Sequence, residues 1–210
     1  DVEAHRRRDV SRRDFERWGE TLQSVEDLGG FQTIERRLKI ESRPAEWVRV
    51  AEITASGFRL ARVPPLLGRW IAEADESAGA APVMIIGYDV WQSRFARDPS
   101  IVGRELRIGR ETHTIVGVMP EGFAFPSRET QFWVPTGASD QQRTNRGSLW
   151  LQVVGRVKPG VSIAQAVERS KAVIRQVLEE AVLADPANAQ MPRDLSPDRA
   201  GLGEARIGIV

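Results

Sequence analysis

Ile101-Val102-Gly103-Arg104-Glu105-Leu106-Arg107-Ile108-Gly109-Arg110-Glu111-Thr112-His113-Thr114-Ile115-Val116-Gly117-Val118-Met119-Pro120-Glu121-Gly122-Phe123-Ala124-Phe125-Pro126 is the stretch on which the reading of this 210-residue chain turns. Glu105 to Ile108 and Glu111 to Val116 alternate polar and apolar residues on either side of Gly109-Arg110. A two-residue Gly-X connection matches the twist of paired strands, so the spacing predicts a tight β-hairpin. The Gly/Pro/Phe string after it, Gly117 to Pro126, is far less ordinary than the hairpin.

Working outward, Val83 to Ile86 reads as a buried strand and Tyr88 to Phe95 as a short helix. Glu73 to Ala81 is small, acidic and Gly-containing, and is expected to be a loop and a subdomain boundary. Thr54 to Ala61 is expected as a short helix ended by Pro64-Pro65. Further upstream, Ser11 with Asp14 signals a helix start, and Phe15, Trp18, Leu22 and Val25 recur at helical spacing until Gly29-Gly30, read as its stop. Phe31 to Ile40 and Trp47 to Ile53 read as strands joined by a polar turn near Pro44. Downstream, residues 127–147 form a polar stretch broken by the strand-like Phe132-Trp133-Val134, and Trp150 to Val157 is again strand-like. Ser162 and Gln165 form a capping box for a helix with the stripe Ile163, Ala166, Val167, Val173, Ile174, Val177 and Leu178, terminated at Asp185-Pro186. The remainder is punctuated by Pro and Gly, with Arg206 to Val210 a strand cut short. Helices and strands mix without strict βαβ alternation, so the expected class is α+β.

Composition fits a folded chain: 41% hydrophobic and 28% charged residues, with 30 Lys plus Arg against 29 Asp plus Glu. A net charge of +1 supplies no field to attract nucleic acid, and the 27 arginines are interleaved with acids. There are no cysteines, which excludes disulfides and thiolate metal sites. No apolar run reaches membrane-spanning length, and the opening Asp1-Val2-Glu3 lacks the basic and apolar regions of a signal peptide.

Six strings, in order, carry a resemblance: Val63-Pro64-Pro65-Leu66-Leu67-Gly68-Arg69, Ile85 to Phe95, Asp98-Pro99-Ser100-Ile101-Val102-Gly103-Arg104, Gly117 to Pro126, Phe132-Trp133-Val134-Pro135, and Val154 to Ser162. Together they resemble the extracytoplasmic core domain of MacB-type ABC-transporter permeases, from about Val10 to about Pro186. The resemblance implies a two-part domain. A porter-like βα subdomain is expected in residues 1–62 and 149–186, with a smaller α/β subdomain containing the hairpin inserted at 63–148, and a tail at 187–210. In the family a strand usually precedes the first helix; the chain starts beyond it, which leaves the expected sheet one strand short. The implied function is a non-catalytic extracytoplasmic domain of a permease subunit that couples the motion of a cytoplasmic ATPase to export or cargo handling. The implied partners are the permease's own transmembrane helices, a second permease copy, an ABC ATPase and, in some relatives, a periplasmic adaptor. On this reading the chain is an excised piece of a longer membrane protein. The alternative is a periplasmic module that captures a peptide or lipid between its two parts, and a hydrolase is the third reading.

The residue pattern predicts no reactive centre. A phosphate-binding loop needs Gly-Lys-Ser/Thr, and none of the lysines, Lys39, Lys158 and Lys171, follows a glycine. Gly201-Leu202-Gly203 lacks the third glycine of a dinucleotide loop, with Arg206 in its place. Only His5 and His113 are histidines, too few and too distant for zinc. His113, facing Leu106 across the hairpin, reads as a half-buried ring in a sheet, at a position where the family often carries an aromatic, and no Gly-x-Ser-x-Gly elbow accompanies it. Glu26-Asp27, Asp75-Glu76 and Glu179-Glu180 read as surface charge. His5-Arg6-Arg7-Arg8 with Arg12-Arg13 reads as a solvated terminal charge run, with contact to nucleic acid or phospholipid headgroups as alternatives. Trp18, Trp47, Trp70, Trp91, Trp133 and Trp150 are expected mostly in the core. No catalytic, cofactor-binding or metal-binding residue is expected, and substrate-binding positions stay open.

Overall fold

The hairpin forms as its spacing dictates. Strands β5 (Glu105–Ile108) and β6 (Glu111–Val118) pair antiparallel from Glu105↔Thr114 to Ile108↔Glu111, with Gly109 at φ 65° in the turn. Leu106, Ile108, His113 and Ile115 point inward, and their sequence neighbours face out. The computed structural model describes residues 9–40, 44–137 and 150–184.

The other strands are β1 (Val25–Lys39), β2 (Glu46–Ile53), the two-residue β3 (Leu67–Gly68), β4 (Val83–Ile86), β7 (Phe132–Pro135) and β8 (Gln152–Val157). The helices are α1 (Arg12–Thr21), α2 (Ala55–Ala61), α3 (Tyr88–Phe95) and α4 (Ile163–Ala184), with 3-10 turns at Glu73–Glu76 and Pro99–Ile101. Strand order runs β2-β7-β4-β6-β5-β1, and β1 pairs again with β2. Leu38 shows the closure directly, since it opposes Ile108 on one edge and Glu46 on the other. Six strands therefore form a ring. One apolar cluster draws on all of them: Leu38 from β1, Val50 from β2, Met84 and Ile86 from β4, Leu106 and Ile108 from β5, Ile115 from β6, and Phe132 from β7. Val90, Trp91 and Phe95 of α3 join the same cluster. Burial on both faces explains the unbroken apolar run of β4, all four of whose residues are buried.

One expectation fails here. The first helix ends at Thr21, and Gly29-Gly30 lie inside β1 instead of stopping a helix. Close approach explains the glycine: a Cβ on Gly29 would sit 2.6 Å from the Gly57 Cα and 2.6 Å from Leu60 Cδ1 of α2. Gly29 is selected by the helix that crosses it, a tertiary demand that resembles a cap in sequence.

The chain divides into two compact units, residues 1–28 with 138–205 and residues 29–137 with 206–210. In the first, Phe15, Leu22, Leu28 and Leu151 form a small core lined by Trp18, Val25, Trp150, Val153 and Val173. Helix α4 buries Ala166, Ser170, Ile174 and Val177, a stripe at three- and four-residue spacing. Ile163, expected in that stripe, is 46% exposed, because it opens the helix on the solvent side. The expected helix stop at Asp185-Pro186, the strand at Arg206–Val210 and the side chain of Leu178 lie outside the described residues.

Candidate functional site

Each of the six strings that distinguish this sequence holds part of the fold together. Val63–Arg69 lies along the end of β6: Leu66 N–H donates to Val118 O at 2.7 Å and Arg69 N–H to Val116 O at 2.9 Å. Both glycines of this crossing are sterically required. Gly68 has φ 73° and its Cβ would meet Val116 O at 2.1 Å, while a Cβ on Gly117 would meet Arg69 O at 2.5 Å. Arg69 then grips Asp75 through two nitrogens at 2.6 and 3.0 Å, and the Ala72 N–H donates to the same carboxylate. The Arg69 hydrogen bonds hold the Asp75 carboxyl below its ordinary pKa.

The Phe/Pro exit seals the outer face of the sheet. Met119 N–H donates to Ile86 O at 2.8 Å, and the Trp133 indole N–H donates to Phe125 O at 2.7 Å. Trp133, only 1% exposed, lies 5.4 Å from the Phe123 ring and 6.3 Å from Phe58, and Phe125 packs edge-on against Phe31 at 5.4 Å. Aromatic pairs at these separations and tilts are favourable beyond their buried area. Asp98 caps the turn Pro99–Ile101 through Ser100, whose O–H and N–H hold its carboxyl below the usual range, and its carbonyl accepts from the Trp91 indole at 2.8 Å. Gly155 lies 3.2 Å from Val25 at its would-be Cβ, and Ser162 and Gln165 exchange capping hydrogen bonds as expected.

Among the described residues the titratable candidates do not converge. His113 lies in the sheet opposite Leu106 as expected, but at 7% exposure it is buried inside the ring where a half-buried side chain was expected, and burial pushes its pKa below 6.5. Its Nε2 lies 3.8 Å from Glu111, and its Nδ1 is buried without a hydrogen-bond partner. His5, Arg6, Arg7, Arg8, Gly201, Gly203 and Arg206 lie outside the described residues. Lys39 ends β1, Lys158 follows β8, and Lys171 pairs with Glu168 on α4. No group of three His, Asp or Glu side chains suited to a metal exists among the described residues.

Four readings need correction. Asp75 and Glu76 are braces instead of plain surface charge: Glu76 accepts from Ala55 N–H at the start of α2 and from Thr136 Oγ1, both at 2.7 Å. Glu26-Asp27 sit on strand β1, not on a helix. Arg12 is not solvated; it is 9% exposed, lies 5.6 Å over the Phe15 ring and pairs with Glu16 at 2.8 Å, burying its stem. Trp47 and Trp70 are not core. Trp47 is 67% exposed on β2, and Trp70 is 36% exposed with its indole N–H donated to Val63 O. Trp91 and Trp133 are buried, while Trp18 and Trp150 line the smaller core. Thr54, expected as the first residue of a helix, is instead its cap: it is 1% exposed and its hydroxyl accepts from both Gly57 N–H and Gly30 N–H. Its position one residue before the helix was the available signal.

The comparisons agree with this geometry. The model of the MacB-like periplasmic core domain matches residues 3–173. Among solved structures, the periplasmic region of MacB from Actinobacillus actinomycetemcomitans aligns with TM-score 0.66 at 11% identity, covering 83% of this chain and 77% of that one. The extracellular domain of the noncanonic ABC-type transporter YknZ from Gram-positive bacteria aligns with TM-score 0.62 at 15% identity, covering 82% and 84%. A domain of a putative permease protein from Porphyromonas gingivalis gives TM-score 0.62 at 15% identity over 82% and 77%. No curated protein matches the sequence significantly.

Proposed function

Because this chain belongs to the family of MacB-like periplasmic core domains, which work on the extracytoplasmic side of the membrane, we infer that it is the non-catalytic outer domain of an ABC-transporter permease subunit. Its role is to follow the conformational cycle driven by a cytoplasmic ATPase and to convert it into movement or handling of cargo outside the membrane. The partners on this reading are the permease's transmembrane helices, a second permease copy and the ATPase, with a periplasmic adaptor in some relatives. The observation that carries the reading is the family match over residues 3–173. It is supported by the use of the distinguishing strings: Gly68, Gly117, Phe123, Phe125 and Trp133 are engaged in packing and in strand crossings. No helix among the described residues is long and apolar enough to cross a membrane.

The chain has no cysteine, so labels can be placed at chosen positions. Glu20 and Arg128 are exposed, one in each compact unit. With spin labels at these two sites in the full permease, assembled with its ATPase in a bilayer, the distance distribution is expected to shift between nucleotide-free and ATP-trapped states. An unchanged distribution through the ATPase cycle would overturn the coupling role. Turnover of an ester or glycoside by the domain, lost on His113→Phe, would overturn the non-catalytic assignment.

A further inference from the structure

Alternation along the ring strands sorts side chains between its apolar interior and its outer face. Leu38, Val48, Leu106 and Ile108 are buried inside. Their neighbours Arg37, Lys39, Trp47 and Arg107 therefore face outward, and all four are exposed. Strand register brings them together: Arg37 opposes Trp47 across β1 and β2, and Lys39 opposes Arg107 across β1 and β5. The Arg37 guanidinium lies 5.9 Å from the Trp47 ring, presenting a cation and an aromatic surface side by side.

This arrangement gathers positive charge on one outer face. Lys39 and Arg107 stand directly opposed across a strand pair, and Arg37 lies two residues from Lys39 on the same strand. A tryptophan 67% exposed adds apolar surface to the same spot. In the neighbouring row Arg49 meets Glu129 at 2.7 Å and Glu35 at 3.8 Å. Glu105, exposed on β5 two residues from Arg107, bounds the patch on that side, and Glu46 is engaged with Arg94. At Leu38 both edges of β1 are already paired, so a partner cannot add a strand there and has to dock on the face.

We propose that the outer face formed by Arg37, Trp47 and Arg107, beside Lys39, docks an acidic segment of another protein chain that carries an apolar side chain to cover Trp47. Charge complementarity selects an acidic occupant, and the Arg/Trp pairing is the combination that dominates binding energy at protein interfaces. This goes beyond the permease role and stands without it.

The test uses the 210-residue chain with a fluorescein-labelled peptide of glutamates and two phenylalanines, read by anisotropy, beside phosphatidylglycerol vesicles read by co-sedimentation. Peptide binding is expected, weakened as salt rises from about 0.05 M to about 0.5 M. Arg37→Glu with Arg107→Glu should lower affinity by about ten-fold or more, and Trp47→Ala by about ten-fold. Thermal melts establish that each variant folds, and Arg107→Gln tests the same contact if the double variant does not. Absence of peptide binding, or variants that bind as well as the parent, would overturn the proposal. Binding to vesicles alone, lost in the same variants, would overturn it too and assign the face to a membrane surface.

Discussion

His113 shows how one side chain reports on the whole ring. Burial disfavours its charged form, so its folded pKa lies below 6.5, with Glu111 opposing the shift only partly. Above that pH both the folded and unfolded chains hold it neutral, and it contributes no pH dependence. As pH falls through about 6.5, the unfolded chain takes up a proton that the folded one refuses, so stability drops toward the lower folded pKa. Melting temperatures at about pH 7.5 and about pH 5 should therefore separate by less in His113→Phe than in the parent; equal separations would refute the buried neutral imidazole. Gly29 is the steric counterpart. Gly29→Ala drives a methyl to within 2.6 Å of the Gly57 Cα, and chemical denaturation should register a loss of about 2 kcal/mol. Exchange of Gly79, whose Cβ would meet nothing within 4 Å, probes only backbone strain at φ 79°.

At the scale of elements, short pieces are held by caps and braces. Helix α2 has seven residues, too few to persist alone, and is pinned by the Thr54 hydroxyl, which takes N–H groups from its own first turn and from β1. Thr54→Val keeps the shape and removes both acceptor contacts, and urea unfolding should show a loss of about 2 kcal/mol. A midpoint unchanged by this substitution would mean that apolar packing of Phe58 and Leu60 alone seats the helix. Most elements were legible because their signals are local: the Gly109 turn, the Ser162–Gln165 box, the Thr54 start and the apolar run of β4 depend on near neighbours in sequence. The end of α1 was not legible. Leu22 and Val25 keep helical spacing with Phe15 and Trp18, yet all line one small core from two different elements, and spacing cannot tell these apart.

At the scale of the molecule, ring closure should make β1, β2, β4, β5, β6 and β7 a single cooperative body. Amides of Val50, Ile86, Ile115 and Phe132 are expected to exchange with solvent last and at a common free energy, by native-state hydrogen exchange. Staggered exchange among these strands would show that the ring opens in parts. The sequence by itself determined the α+β class, nearly every element and the family, because periodicity, turn chemistry and ordered strings are written along the chain. Only the tertiary structure decided that β1 meets β2 on one edge and β5 on the other, that Gly29 yields to a crossing helix, and that Trp47 stands outside among cations. Those facts rest on strand register and on contacts between residues distant in sequence; a one-residue change of register exchanges inside for outside, and no local pattern encodes which side a partner strand will take.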